Sequence, residues 1–215
     1  EVTGYNKGAR INLHKHIPFG VGLGGGSSDA AATLLVLNKL WRIHLSISDL
    51  LKLGTRLGSD VPFFIYGGTA LVEGKGEKVT VLPTLPLACF VLLVPPLPKI
   101  RSKTKELYDR LNAAYFTKGE FVHAALPSLM EGKAIEPSLL FNVFDKITFD
   151  VFPKLDEYRK RFKEAGAQNL CLTGSGPCLF TVASKEEEAN RLYLTLRRQG
   201  VECYVASSLS GGTGG

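Results

Sequence analysis

The sequence predicts an α+β protein of two domains. A glycine-rich loop at residues 18–28 leads directly into an apolar helical pattern, and a second helix rather than a strand follows that pattern. This order departs from the regular strand–helix alternation of parallel-sheet proteins. Proline-rich sequence at residues 83–86 marks a shift in composition. We place a domain boundary there, between an N-terminal domain, residues 1–85, and a C-terminal domain, residues 86–215.

Length and composition limit the classes of protein to consider. The chain has 215 residues, of which 45% are hydrophobic and 21% charged, and these values argue against disorder. The longest apolar runs, such as residues 87–96, are too short to span a bilayer. The net charge of +6 suits an acidic partner. Nucleic acid is one candidate, but the basic residues are dispersed without an aromatic-rich stripe, and a polyphosphate substrate explains the same charge.

The cysteines indicate the redox environment of the protein, and the first residues indicate how the chain begins. Four cysteines lie in apolar segments without paired spacing, which favours buried, reduced thiols over a metal site or disulfides. Reduced thiols are typical of a reducing compartment. No signal peptide is visible. The first residue is not Met and strand-like sequence follows almost at once, so we expect the chain to be cut at its N-terminus.

The first patterned segment, residues 10–17, alternates polar and apolar side chains, which predicts a half-exposed strand. His14 and His16 would share one face of it, at a spacing that some metal sites use. Because no third ligand is near, a solvated strand face explains the two histidines better.

The glycine loop predicts a phosphate site. Its glycines let backbone N–H groups face a ligand with no Cβ in the way. The helix predicted behind it, residues 29–41, adds unpaired N–H donors and a partial positive charge at its N-terminus. Ser27 or Ser28 can cap this helix, and Asp29 is favourable near its N-terminus. Its nearly continuous apolar residues predict that the helix is buried.

A second helix begins at Ser46, where the sequence resembles a capping box, and Gly58 ends it. Asp60 then stands alone ahead of an apolar segment. It can be the N-cap of the turn led by Pro62 or a partly desolvated base at the edge of a cleft, and both roles can hold for one residue. Residues 67–82 predict a hairpin.

The C-terminal half contains a second glycine turn, residues 173–176, between two predicted strands. A plain hairpin explains it, but a backbone that closes on a ligand would show the same pattern. A basic run at residues 99–105 is typical of a solvated face, although it leads into a possible helix N-terminus at Ser102 or Thr104. The other predicted elements are strands at residues 88–94, 170–172, 179–182 and 201–206 and helices at residues 104–114, 141–152, 154–165 and 186–199, with an amphipathic helix and loops within 116–136 and a flexible tail from 207.

Two better-known phosphate loops do not fit. The dinucleotide fingerprint matches Gly20, Gly22 and Gly25, but it requires a βαβ unit and an acidic residue about 20 residues further on, where Leu45 stands. The Walker motif requires a lysine at the end of the loop, and residues 26–28 contain none. A third type of phosphate loop remains.

The residues that remain resemble a known superfamily. The loop at residues 18–28 resembles the second motif of the GHMP kinases, which include galactokinase, homoserine kinase and mevalonate kinase. The turn at residues 173–176 resembles their third motif. More narrowly, residues 22–31, 57–64 and 73–77 are similar to the family of 4-diphosphocytidyl-2-C-methyl-D-erythritol kinases. The resemblance covers nearly the whole chain, and three motifs in this order are more specific than a single glycine loop.

The resemblance implies a fold and an activity. The fold is a two-domain GHMP kinase, with a ribosomal S5-like N-terminal part that lacks its first strands, a ferredoxin-like C-terminal domain, and an ATP and substrate cleft between them. The activity is transfer of the γ-phosphoryl group of ATP to the 2-hydroxyl of 4-diphosphocytidyl-2-C-methyl-D-erythritol, an isoprenoid precursor, in the bacterial cytoplasm or the plastid stroma. Neither a membrane nor a nucleic acid is implied as a partner, and the enzyme could be a monomer or a homodimer.

The resemblance also implies residue roles. Asp60 matches the catalytic aspartate, which takes the hydroxyl proton or holds the hydroxyl in line for attack. Ser27 or Ser28 could contact Mg²⁺, Thr104 and Tyr108 would lie near the cytidine end of the substrate, and the second glycine turn would approach the phosphates. The implied ATP-binding residues are Pro18, Phe19, Gly20, Val21, Gly22, Leu23, Gly24, Gly25, Gly26, Ser27 and Ser28, the implied substrate-side residues are Thr104, Tyr108, Thr173, Gly174, Ser175 and Gly176, and the implied metal ligand is Ser28.

Two departures from the family pattern matter. The first motif of the family supplies a catalytic lysine and has no counterpart here, because Lys7 and Lys15 stand in the wrong context to replace it. Residues 142–145 differ from the usual Asn-Asp-x-Glu. We therefore expect the chain as it stands to be weak or inactive. The alternatives are another small-molecule GHMP kinase, of mevalonate or homoserine type, and a GHMP-fold protein that binds a ligand without catalysis.

Overall fold

A computed structural model describes residues 3–6, 8–98 and 100–209. Lys7, Lys99 of the basic run and the end of the predicted tail lie outside these residues. The chain divides into two compact units. The first contains the segment up to Phe19 and Gly24–Val81, and the second contains Gly20–Leu23 together with Leu82–Gly212. The main division between the units falls between Val81 and Leu82, whereas from the sequence we placed the domain boundary after residue 85.

The core of the first unit is small and lies among its helices. Ala31, Leu50, Val61 and Ile65 are its buried members. Gly54 allows two of the helices to pack closely, since a Cβ at this position would lie 2.9 Å from the Ile65 side chain. The elements of this unit are α1 (Gly25–Leu40), α2 (Ile47–Leu57), α3 (Val61–Tyr66), β1 (Thr69–Glu73) and β2 (Lys78–Leu82), the last of which ends at the first residue of the second unit.

Helix α2 and the hairpin confirm their predictions. The Ser46 hydroxyl accepts a hydrogen bond from the backbone N–H of Asp49 at 3.2 Å, as an N-cap does. Gly58 is the C-cap. Strands β1 and β2 pair in a two-stranded sheet, and the turn between them is closed by the N–H of Gly76, which donates to the Glu73 carbonyl at 3.1 Å.

Helix α1 differs from its prediction in position and in burial. It begins at Gly25 rather than at Asp29, so part of the glycine loop is helical. Ala31 is its one buried residue, while Val36 is 60% and Leu40 65% exposed. The prediction of a buried helix was therefore wrong. Among the described residues, α2 and α3 cover one face of α1, and apolar composition does not itself determine how many neighbours a helix receives.

The strand predicted at residues 10–17 is not observed. The segment pairs with no strand among the described residues, and Ile11 and Leu13 are 59% and 60% exposed. Alternating side chains identify an extended segment, but a strand also requires a partner for its backbone N–H and C=O groups. His14 and His16 in this segment are exposed, and no group of three metal-ligating side chains occurs in the described part of the chain.

The second unit is built on a four-stranded antiparallel sheet. Its strand order is β4-β5-β3-β6 in the numbering below, and it contains the four strands that the sequence predicted. Leu93 on the central strand faces Leu179 on one side and Cys203 on the other. The elements are β3 (Cys89–Val94), α4 (Lys103–Arg110), α5 (Glu120–Met130), α6 (Thr148–Val151), α7 (Leu155–Glu164), β4 (Cys171–Leu172), β5 (Leu179–Ala183), α8 (Glu186–Arg198) and β6 (Glu202–Ser207).

Two helices predicted in the second unit are shorter than expected. The helix predicted to residue 114 ends at Arg110, because Leu111 is extended and the Asn112 side chain caps a separate short turn by accepting from the N–H of Ala114. The helix predicted at residues 141–152 is divided into a 3₁₀ turn, Val143–Lys146, and α6. Side-chain capping by asparagine competes with helix continuation in such places.

The core of the second unit joins the sheet to α7 and α8. Leu93, Phe162, Leu192 and Leu196 are all at most 1% exposed and belong to one cluster. The four cysteines are free thiols and three of them are buried, which confirms that prediction. Helices long and apolar enough to cross a bilayer do not occur within the described residues.

The packing around the central strand gives a first prediction. We expect Leu93→Ala to lower the free energy of unfolding by about 2–5 kcal/mol, because a fully buried leucine leaves a cavity when it is truncated. Urea denaturation followed by circular dichroism measures this change. Leu194→Ala on the exposed side of α8 is the control, with an expected change within about 0.5 kcal/mol, because Leu194 is 52% exposed. Equal losses for the two variants would contradict the assignment of the core.

Candidate active site

The first half of the glycine loop has a backbone that only glycine fits. Gly20 has φ 78° and Gly22 has φ 83°, both in the left-handed region that other residues rarely adopt. A Cβ on Gly22 would also overlap the carbonyl group of Thr173. Gly22 and Thr173 both belong to the second unit, so the loop and the second glycine turn lie backbone against backbone there.

The turn Thr173–Gly176 is closed by its own backbone and bonded to the loop. The N–H of Gly176 donates to the Thr173 carbonyl at 2.6 Å. The hydroxyl of Thr173, which is buried, donates to the Val21 carbonyl at 2.7 Å. A plain hairpin needs no bond to a segment 152 residues away in sequence, so the turn also supports the loop. That it closes on a ligand stays a prediction.

Asn142 fastens the same turn through its side chain. Its amide group donates to the carbonyl of Leu172 at 3.0 Å and to that of Gly174 at 2.7 Å. Its side-chain oxygen accepts from the N–H of Phe144 at 3.0 Å. One side chain anchored at a 3₁₀ turn therefore fixes the direction of two carbonyl groups at the glycine turn.

Lys103 reaches the loop and the turn together. Its ammonium group donates to the Gly20 carbonyl at 2.8 Å and to the Gly176 carbonyl. Lys103 is 9% exposed, and burial lowers its pKa to about 8. In the sequence this residue is one member of a basic run expected on a solvated face, and that expectation was wrong for Lys103.

The second half of the loop forms the N-terminus of α1 in the first unit. Gly24, in the left-handed region, is the N-cap, and the first helical bond runs from the N–H of Ser28 to the Gly24 carbonyl at 2.9 Å. The three preceding N–H groups, from Gly25 to Ser27, therefore have no acceptor within the helix. Neither serine caps the helix, contrary to the prediction, since α1 starts before them. The N-terminus of this 16-residue helix can accept an anion.

Lys15 places an ammonium group, as half of an ion pair, at this end of α1. Its ammonium group is paired with the carboxylate of Asp29, and it lies 3.5 Å from the position that a Cβ on Gly25 would occupy. Both side chains of the pair remain about one third exposed, at 31% and 35%. Nothing in the sequence indicated this position for Lys15, which we had compared only with the catalytic lysine of the family's first motif.

Asp60 occupies the N-cap position of α3, but its side chain makes no capping bond. Its φ and ψ of −88° and −13° are helical, whereas a capping side chain requires an extended residue. Asp60 is exposed, so the expectation of a partly desolvated carboxylate was wrong for this chain. The residue before it is closely packed, because a Cβ on Gly76 in the hairpin turn would overlap the carbonyl of Ser59.

The start of α4 carries the residues implied at the cytidine end. The hydroxyl groups of Thr104 and Ser175 are 3.1 Å apart, which links the helix to the second glycine turn. Tyr108, one helical turn further on, is 58% exposed and contacts the edge of the Phe144 ring at a centroid distance of 5.1 Å. An exposed aromatic ring and two hydroxyl groups therefore lie close together in the second unit.

Within each unit, the structure brings together some of the site residues that the sequence predicted. The first half of the loop, the second glycine turn and Thr104 meet in the second unit, and the N-terminus of α1 and Asp60 belong to the first. Sequence reasoning missed Lys103, Lys15 and Asn142. A signal existed for Lys103, which directly precedes the helix predicted from Thr104, but in a run of basic residues nothing marks a member that is buried.

The chain matches known families in both of its halves. Residues 1–68 match the family model for the GHMP kinases N terminal domain, and residues 125–202 match that for the GHMP kinases C terminal. Homoserine kinase from Cytophaga hutchinsonii superimposes with a TM-score of 0.65 at 21% identity, over 91% of this chain and 68% of that one, and this likeness concerns the fold.

More similar relatives identify the family within that fold. The 4-diphosphocytidyl-2-C-methyl-D-erythritol kinase of Dehalococcoides mccartyi is 46% identical over 209 residues, which are 97% of this chain and 73% of the relative. A crystal structure of 4-(cytidine 5'-diphospho)-2C-methyl-D-erythritol kinase superimposes with a TM-score of 0.74 at 33% identity, over 92% of this chain and 69% of that one. The chain belongs to the 4-diphosphocytidyl-2-C-methyl-D-erythritol kinases, a family of GHMP kinases.

Proposed function

We propose that this protein transfers the γ-phosphoryl group of ATP to the 2-hydroxyl of 4-diphosphocytidyl-2-C-methyl-D-erythritol. The observation that carries the proposal is the N-terminus of α1, a 16-residue helix that begins within the glycine loop with three N–H groups outside the helical hydrogen bonds. Such an arrangement suits the phosphates of a nucleotide. The alcohol is the substrate named for the relatives.

The loop would bind ATP mainly through its backbone. The N–H groups of Gly25, Gly26 and Ser27 precede the first helical bond and are available to phosphate oxygens. A Cβ on Gly26 would meet no protein atom within 4 Å, so the space beside this residue can admit a ligand. The ammonium group of Lys15 beside Gly25 could donate to a phosphate oxygen, although its pairing with Asp29 leaves this end of the helix little net charge.

Ser28 is a suitable ligand for one magnesium ion bound to ATP. Its hydroxyl donates to the Gly25 carbonyl at 2.9 Å, which leaves the lone pairs of the oxygen for a cation. Mg²⁺ commonly takes one or two protein oxygens and otherwise binds phosphates and water, so a single hydroxyl fits its use. When bound, Mg²⁺ neutralises charge on the transferred phosphoryl group.

Asp60 would act on the substrate hydroxyl. An exposed carboxylate can accept the proton of the attacking hydroxyl or hold that hydroxyl in line with the γ-phosphorus. Phosphoryl transfer depends chiefly on positioning and charge stabilisation, so one carboxylate beside well-placed donors is sufficient chemistry. The tight packing of Gly76 on Ser59 gives Asp60 a defined position for this role.

Tyr108 and Thr104 would bind the cytidine end of the substrate. An exposed aromatic ring can stack on a base, and the adjacent hydroxyl can hydrogen-bond to the polar edge of that base. The ring of Tyr108 is held by its contact with Phe144, so it loses little freedom when a base binds.

A phosphotransfer assay tests the proposal directly. The protein expressed from its complete gene is mixed with ATP and Mg²⁺ and with the cytidyl alcohol, mevalonate or homoserine in turn. Release of ADP that depends on the cytidyl alcohol alone supports the proposal. Turnover of another alcohol would indicate a different GHMP kinase, and nucleotide binding without turnover of any of the three would indicate a protein that only binds ligands.

Asp60→Asn should abolish transfer while ATP binding stays intact. We expect kcat to fall by about 100-fold or more, because asparagine cannot accept the proton. The dissociation constant of a non-hydrolysable ATP analogue, measured by calorimetry, should stay close to that of the unaltered protein. Asp156→Asn, at an exposed aspartate on α7, is the matched control and should leave kcat unchanged. Near-normal turnover by Asp60→Asn would exclude Asp60 as the base.

Gly26→Ala separates phosphate binding from folding. The added methyl group meets no protein atom within 4 Å, and alanine favours a helix by up to about 1 kcal/mol over glycine, so stability should not fall. The methyl group would occupy space beside the phosphates, and we expect ATP affinity to fall by about tenfold. Gly8→Ala, also in open space, is the control for calorimetry and thermal melting. Unchanged ATP affinity for Gly26→Ala would contradict phosphate binding at this position.

Tyr108→Ala should weaken binding of the cytidyl alcohol selectively. Loss of one base–aromatic contact predicts a rise in its KM of about tenfold, with the KM for ATP unchanged. Tyr108→Phe keeps the ring and should keep the KM close to normal. Steady-state kinetics with each substrate varied in turn makes the comparison. An equal rise in both KM values for Tyr108→Ala would indicate damage to the fold rather than a lost base contact.

A further inference from the structure

The ammonium group of Lys103 connects three segments of the second unit that are far apart in sequence. Lys103 begins α4, and it donates to the carbonyl of Gly20 in the loop and to that of Gly176 in the second glycine turn. Its side chain is almost fully buried. Among the described residues it forms no salt bridge, so backbone carbonyls replace the water that it lost on burial.

We infer that Lys103 is a positioning residue for ATP, which holds the first half of the phosphate loop, Gly20–Leu23, against the turn Thr173–Gly176. The inference rests on the proposed function, since it concerns the same loop. It goes beyond that function in assigning to a side chain outside the glycine motifs the task of orienting their backbone donors. Both bonds of Lys103 go to carbonyl groups, so it occupies none of the backbone N–H donors.

The other bonds to this loop segment explain why the lysine is needed. The Thr173 hydroxyl holds Val21, and the close approach at Gly22 restrains the middle of the segment. The hydrogen bond from Lys103 holds its beginning, at Gly20. A loop fixed at its middle alone can rotate about that point. A donor with a charge makes bonds of about twice the usual strength, which suits it to hold the exposed first residue.

Lys103 also ties the loop to the helix that would bind the substrate. The next residue, Thr104, contacts Ser175, so two successive residues of α4 bond to the second glycine turn. Tyr108 lies one turn along the same helix. The first half of the ATP loop and the proposed cytidine site therefore share one rigid element of the second unit.

The charge of Lys103 changes within a pH range that can be measured. Its pKa is about 8 because of burial, and Cys178, the titratable group that acts on it, has its pKa raised to about 12 by burial and stays neutral in this range. Above about pH 8 the ammonium group loses a proton and its charge, so both of its bonds to carbonyls weaken. ATP affinity should therefore fall as the pH rises through this value.

Calorimetry with a non-hydrolysable ATP analogue tests the inference without an alcohol substrate. For Lys103→Met in the protein expressed from its complete gene, we expect the dissociation constant to rise by about tenfold or more. Between about pH 7 and about pH 9 it should rise for the unaltered protein relative to Lys103→Met, because ionisation of the analogue itself affects both proteins equally. Lys160→Met, at an exposed lysine paired with Asp156, is the control and should change affinity by less than about twofold.

The outcomes separate this inference from the proposed function. Unchanged nucleotide affinity for Lys103→Met would overturn it, whatever alcohol the enzyme phosphorylates. If Lys103→Met does not fold, Lys103→Gln takes its place, and unchanged nucleotide affinity for that variant would overturn the inference. With ATP saturating, the KM for the cytidyl alcohol should change by less than about threefold, since an equal loss for both substrates would indicate a structural role alone.

Discussion

The close approach of two backbones at Gly22 and Thr173 is the constraint on which the candidate site in the second unit depends. At this point there is room for no side chain, and the loop must take a left-handed conformation. The glycine pattern is thus a requirement of packing as well as of ligand binding. Because the contact fixes the first half of the loop onto a turn of the sheet, the precision of the loop comes from the core beneath that turn.

The sheet supplies this precision through a short sequence of contacts. Strands β4 and β5 enter and leave the turn, and their buried residues Leu172 and Leu179 pack in the main core. Asn142 then fixes the direction of two carbonyls at the turn. Asn142 lies in a segment where Val143 stands in place of the family's aspartate and Asp145 in place of its glutamate. The amide bonds of Asn142 involve neither position, so its support of the turn does not depend on these differences.

What the sequence could predict is what local chemistry determines. Capping at Ser46, the hairpin around Gly76 and the four strands of the second sheet follow from side-chain types at short spacing, and all are observed. The exposure of α1, the unpaired extended segment before the loop and the burial of Lys103 depend on which distant residues come near, and no local pattern carries that information. The motifs identified the family because glycines at strained positions are specific, whereas Asn142 and Lys103 act through common residue types.

Lys103 is an unusual residue for a buried position, because an apolar side chain there would give the fold more stability. Burying an ammonium group costs several kcal/mol, and an apolar side chain of similar volume would fill the same space without that cost. Burial disfavours the charged form and lowers the pKa of Lys103, and its two carbonyl acceptors replace part of the lost hydration. Departures from local preference of this kind are expected where a site requires a fixed geometry. A lysine in this position therefore exchanges some stability of the second unit for a defined position of the loop backbone, and it makes that position sensitive to pH.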